Sequence, residues 1–154
     1  RNEDSDRNGY SDWWTLDVSG LYRVLNAAGT QIAKIEIPIA MADAAPTGYL
    51  ANYIGTAIAS SPRAKAGYLF QSIQTDETGT TLLVIYIGGA SGRQALHTAK
   101  FCFCAIPGAY EETGRNIFIV SNEGTVWKKD NGNNTAISQW PAANPSLSGW
   151  GTSD

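Results

Sequence analysis

The chain has 154 residues, with 14 acidic and 11 basic side chains, a formal net charge of −3 and a sequence pI near 5.1. The basic residues are scattered and only Lys128-Lys129 are adjacent, which excludes the phosphate-tracking stripe of a general nucleic-acid binder. Apolar residues make up 43%, enough for the core of one ordinary domain, and no apolar run approaches the roughly 18 residues of a membrane span. Charged residues are only 16%, against about 25% in an average protein, and the 16 glycines point to turns and short strands.

The chain begins at Arg1, as expected of a processed product or a fragment. The stretch "DSDRNGYSDWW" follows almost at once. With Asp4 as position 1 of a calcium loop, Asp6 falls at 3, Asn8 at 5, Gly9 at 6, the Tyr10 carbonyl at 7 and Asp12 at 9. Hard oxygen ligands alternating about a glycine bend are what calcium needs. Position 12 is Thr15, not the bidentate glutamate, so such a site would be weak. The alternative is a solvated, Asx-rich turn whose carboxylates Arg1 and Arg7 neutralise. Both readings stand, and calcium is the one candidate cofactor. Trp13 and Trp14 are adjacent, so the two rings do not both enter the same core. One of them is a candidate assembly contact.

From Trp13 to Ala28, Leu16, Leu21, Val24 and Leu25 share a helical face, which predicts a short helix over about Val18–Asn26. "QIAKIEIPIA" alternates, which predicts an edge strand that tolerates Pro38. "MADAAPTGY" is a turn, and residues 50–66 read as a loop. "AGYLFQSIQT", the polar turn "DETGT" and "TLLVIYIG" predict an antiparallel hairpin, which "GGASGRQALHTA" connects to "KFCFCAIP". In that last strand Phe101 and Phe103 take one face, and Cys102 and Cys104 the other. Positions i and i+2 of a strand sit too far apart for good disulfide geometry. Buried reduced thiols are the leading reading, with a bridge across a bent strand or metal and redox chemistry as alternatives.

"GAYEETG" reads as a turn, "RNIFIVS" as a strand and "TVWKKD" as its partner across "NEG", where Asn122 or Gly124 supplies the positive φ. A second polar cluster follows, where Asp130, Asn131, Asn133 and Asn134 surround Gly132. It reads as a hairpin-exit loop, with a cation site as the alternative, and Asn133-Asn134-Thr135 fits a glycosylation acceptor. Residues 131–154 read as an irregular tail pinned by Trp140 and Trp150. The sum is one α+β domain over residues 1–154, a short N-terminal helix packed on an antiparallel sheet of four or five strands.

The order of these residues resembles the C-terminal sheet of bacterial type IV pilin-like and pseudopilin-like proteins, particularly planctomycete-type prepilin-like secreted proteins. The matching positions are Gly67, Tyr68 and Phe70, then Ala105, Pro107, Tyr110, Thr113 and Gly114. Arg115, Phe118, Val120, Gly124, Val126 and Asp130 complete the set. The resemblance implies a pilin-like headgroup at the cell surface or outside the cell. Its N-terminal helix would be the end of a longer apolar one, absent from these residues, which would be the only membrane contact. Its partners would be copies of itself in a filament, with no catalytic turnover and no catalytic residues. The alternative readings are a secreted binding module with an aromatic surface and, behind it, a hydrolase. For the last, His97, Ser91, Cys102 and Cys104 lack any nucleophile-and-base frame, and Glu111-Glu112 diverge as neighbours in a turn.

Overall fold

The computed structural model describes residues 17–22, 28, 30, 33–46, 62–81, 84–87, 93–96 and 100–153. A 3-10 turn (Ser19–Tyr22) and one helical turn, α1 (Ile37–Ala40), precede the strands. These are β1 (Tyr68–Ser72), β2 (Val84–Ile87), β3 (Arg93–Leu96), β4 (Cys102–Pro107), β5 (Asn116–Ser121) and β6 (Val126–Asp130). A second 3-10 turn (Pro145–Ser148) leads into the two-residue strand β7 (Gly151–Thr152). The architecture is mostly β, with a five-stranded antiparallel sheet in the order β1-β4-β5-β6-β7 and a separate β2-β3 pair.

Register explains the core. Cys104 faces Ile119 across β4 and β5, and Cys102 faces Ser121, so one parity of both strands lies on a single face. That face packs Cys102, Cys104, Ile106, Ile117 and Ile119 with Ile73, Trp140 and Trp150. The rings of Trp140 and Trp150 are 2% and 5% exposed, so the tail is pinned as expected. Each such large side chain contributes on the order of 1.5–3 kcal/mol by leaving water. The other parity, with Tyr68, Phe70, Phe103, Phe118 and Val120, is half-buried.

Three expectations are corrected. The edge strand over "QIAKIEIPIA" ends in α1 instead, and Ala33–Glu36 carry no strand. Pro38 sits in the first helical turn, where its fixed φ suits the helix and its missing N–H costs nothing. The amides of Ala40 and Met41 close the turn onto Glu36 and Ile37 carbonyls at 3.1 and 2.8 Å.

Among the described residues, the hairpin expected to join β1 to β2 does not form as a ladder. β1 pairs with β4, and β2 with β3. The "DETGT" turn is present, closed by a Thr75–Thr81 bridge. The backbone groups that a longer hairpin would use are taken elsewhere. Ile73 donates to the Cys102 carbonyl at 2.9 Å, and the Gln74 and Thr75 amides both donate to the Ser138 carbonyl. Finally, the tail is not wholly irregular. Asn144 Oδ1 accepts from the Ser146 amide at 3.1 Å to start the second 3-10 turn, and Gly149 at φ 79° ends it. Gly151 then pairs with Lys128, which makes β7 an edge of the sheet.

Of the helix expected over Val18–Asn26, the described part is the 3-10 turn Ser19–Tyr22, and residues 23–27 lie outside the described residues. At the β5–β6 reversal Gly124, at φ 84°, takes the positive-φ position. Its amide donates to the Ser121 carbonyl at 2.9 Å.

Candidate functional site

The calcium-loop residues Asp4, Asp6, Asn8, Tyr10 and Asp12, the assembly candidates Trp13 and Trp14, and His97 all lie outside the described residues. Among the described residues, no three His, Cys, Asp or Glu side chains are grouped as a metal would require. The second polar cluster is a hairpin-exit loop. Asp130 accepts from the Tyr110 hydroxyl at 3.0 Å and from the Gly132 amide at 2.8 Å. Asn133 closes on its own neighbours, its Oδ1 accepting from the Thr135 amide at 2.8 Å. The Asp130 carboxylate holds the Tyr110 hydroxyl in its protonated form and so pushes its pKa up.

Of the positions that carry the resemblance, Gly67, Tyr68, Pro107, Tyr110, Thr113, Gly114, Arg115 and Asp130 lie at one end of the sheet, and Val120, Gly124 and Val126 at the other. Ala66 (φ 50°) and Gly67 (φ 84°) form a tight reversal closed by the Lys65 amide on the Tyr68 carbonyl at 2.8 Å. Two positive φ values in a two-residue loop are the twist that a hairpin favours. Gly108 donates to the Gly67 carbonyl at 2.8 Å, and Thr113 Oγ1 caps the next turn by accepting from the Ala109 amide at 3.0 Å. Tyr68 stacks edge-on against Phe118 with centroids 5.6 Å apart. Glu111 and Arg115 pair at 3.0 Å, both well exposed, so the contact is worth little. Glu111 is thereby turned toward Arg115.

Cys102 and Cys104 are free and buried. Burial pushes the Cys102 thiol up to about 12 and that of Cys104 to about 11. Thiols with so little thiolate are poor nucleophiles and poor metal ligands.

The turn after β1 is ordered by Asp76, whose Oδ1 accepts from the Thr78 hydroxyl and from the amides of Thr78 and Thr80, at 2.7, 2.9 and 2.9 Å. The bond from the Thr78 hydroxyl does most to hold the Asp76 carboxyl below the usual carboxylate range. Beside it, Lys100 lies 3.8 Å from Glu77 and 4.7 Å above the centroid of the Trp140 ring. These contacts tie turn, sheet and tail together.

One polar cluster was not legible in the sequence. Asp17, Ser19 and Asp43 are all buried, at 2%, 0% and 1% exposure. Asp43 sits directly after α1, where residues 42–44 run beside β1, with Phe70 donating to the Ala42 carbonyl and Ala44 to the Phe70 carbonyl. The flanking "MADAAP" resembles a solvated turn. The signal available was Asp43 amid alanines that are themselves small enough to bury.

Residues 40–146 match the family model described as "Protein of unknown function (DUF2950)", and the chain belongs to that family. Comparisons with curated proteins and with solved structures give no match. The matched stretch runs from the last residue of α1 into the second 3-10 turn, so it takes in Asp43, β1 to β6 and Trp140.

Proposed function

We propose that the chain is the headgroup of a structural subunit in an extracellular pilus-like or pseudopilus filament, assembling with copies of itself and turning over no substrate. The observation that carries this reading is the second face of the five-stranded sheet. Phe70, Phe103, Phe118 and Val120 stand on it half-buried, and Val126 is 39% exposed. Apolar surface of this kind is the usual material of protein contacts. The opposite face is closed by the tail, which gives a rigid platform. Inert thiols and short, well-bonded turns suit a subunit that is packed rather than a site that moves.

The pilin-like resemblance supplies the rest of the reading: a long apolar helix ahead of this headgroup, anchoring it and packing in the filament. A secreted binding module with an aromatic surface is less favoured, since Trp140 and Trp150 are spent in the core. The test is the encoded sequence upstream of Arg1. A short basic leader followed by a long apolar stretch supports the filament. A cleaved secretory leader running straight into Arg1 overturns it in favour of a free binding protein.

A further inference from the structure

One peptide unit in the loop after β6 is held on both sides. Its N–H, that of Gly132, donates to Asp130 Oδ1 at 2.8 Å, and its C=O, that of Asn131, accepts from Asn133 Nδ2 at 3.1 Å. Asp130 is fixed in turn by the Tyr110 hydroxyl, which lies 3.0 Å from Oδ1 and 3.3 Å from Oδ2. Tyr110 belongs to the reversal between β4 and β5, so a neighbouring turn anchors the carboxylate. Gly132 sits at φ 71°, with open space where a β-carbon would be.

The pair so held, Asn131-Gly132, is of the kind at which a peptide chain cyclises most readily. Glycine has no β-carbon to hinder the approach of its nitrogen to the neighbouring side-chain carbonyl. In that reaction the Gly132 nitrogen bonds to Cγ of Asn131 and the Cγ–Nδ2 bond breaks. Nδ2 leaves as ammonia, taking the proton that the Gly132 nitrogen gives up. Water then opens the resulting succinimide at either carbonyl and leaves an aspartate or an isoaspartate at position 131. Asn131 is half-buried and residues 132–135 are exposed, so water reaches the loop.

Two features of the loop oppose the first step. The attacking nitrogen must lose its proton, and a carboxylate that accepts from it favours the protonated form. Asp130 acts on the Tyr110 hydroxyl in the same sense and raises its pKa. The attack also requires the peptide unit to turn, which breaks its bonds to Asp130 and Asn133 together. The bond to Asp130 is the stronger of the two, because its acceptor is charged.

We propose that Asn131-Gly132 is a site of spontaneous deamidation and that the Tyr110–Asp130 pair guards it, so that conversion is slow in the folded chain and fast once the loop opens. Conversion places a second carboxylate beside Asp130 and, as isoaspartate, lengthens the backbone where β6 ends. The proposal is independent of the filament reading.

The experiment is a time course of peptide mass spectrometry on the whole chain in mildly alkaline buffer, folded and in guanidinium chloride. Fragmentation separates position 131 from the other Asn-Gly pair, Asn8-Gly9, which lies outside the described residues. Conversion at 131 is expected to be slower in the folded parent than in the unfolded by roughly ten- to a hundredfold, the range for one hydrogen bond to a charged group. Asp130→Ala and Tyr110→Phe are each expected to recover part of that difference, with the sheet retained by circular dichroism. Arg115→Ala, which removes the exposed pair with Glu111, is expected to leave the rate unchanged. Equal rates in the folded and unfolded parent overturn the guard. So does a rise in Arg115→Ala that matches Asp130→Ala. Where Asp130→Ala loses the sheet, Tyr110→Phe decides, and an unchanged rate in that variant overturns the proposal.

Discussion

The hydroxyl of Tyr68 stands over the α-carbon of Gly114, where any other residue would carry its β-carbon. The Tyr68 ring is held edge-on by Phe118, so it is not free to swing aside. Thr113 crowds Gly67 in the same way, 3.0 Å from the place a β-carbon would take. Two glycines from different turns are thus consumed by one close-packed sheet end.

Gly114→Ala is expected to destabilise the fold by about 1–3 kcal/mol, the range for forcing a methyl into filled space. Adding Tyr68→Phe is expected to recover only part of this, because the ring carbon Cζ also lies within 2.8 Å of the new methyl. Urea unfolding of the single and double variants checks it. An alanine variant as stable as the parent contradicts the packing described.

Ala66 holds a φ of 50°, a conformation that side chains with a β-carbon disfavour by about 1–2 kcal/mol. Asparagine tolerates this region and favours the first position of such reversals. Ala66→Asn is therefore expected to stabilise by up to about 1 kcal/mol. A melting temperature that falls on this substitution contradicts the turn geometry.

The thiols give a pH prediction. In the unfolded chain they titrate near 9.0, and in the folded chain near 12 for Cys102 and 11 for Cys104. The folded state thus keeps protons that the unfolded state releases, and stability falls as pH rises from 9.0 towards 11. The stability difference between the parent and a Cys102→Ala, Cys104→Ala variant is expected to shift against the parent over that interval. Neither thiol is expected to react with iodoacetamide at neutral pH until the chain is unfolded. Rapid labelling of the folded chain contradicts their burial.

Trp140 and Leu147 differ in kind although both belong to the tail. Trp140 is 2% exposed in the core and Leu147 is 84% exposed on the second 3-10 turn. Trp140→Ala is expected to cost about 3–5 kcal/mol, and Leu147→Ala within about 0.5 kcal/mol of nothing. Similar melting temperatures for the two variants contradict the assignment of the tail to the core.

The sheet was legible where local signals sufficed. β4, β5 and β6 alternate cleanly, and "GAYEETG" and "NEG" mark their reversals, so that part of the fold follows from neighbours in sequence. Much of what escaped depends on partners far along the chain. The Ser138 carbonyl takes the Gln74 and Thr75 amides and so diverts the chain from the expected hairpin, an interaction across more than sixty residues. β7 has only two residues and exists because Lys128 and Trp127 pair with it. Pro38 was weighed as an edge-strand proline, although the same fixed φ suits a first helical turn equally well. Asp43 looked solvated because nothing local reveals that Ser19 buries it. Residues selected for contact outside the chain give still weaker signals, since their partners are not in the sequence at all.

Trp13 and Trp14 carry the assembly prediction. Alanine at one or both positions is expected to weaken assembly more than monomer folding for at least one of the two. Equal losses in monomer melting temperature with assembly unchanged contradict it.

The most direct test of self-assembly is electron microscopy of the chain expressed with its native N-terminal extension. Filaments built from regularly repeating copies are the expected result. A protein that stays monomeric at every concentration, with that extension in place, would contradict the account.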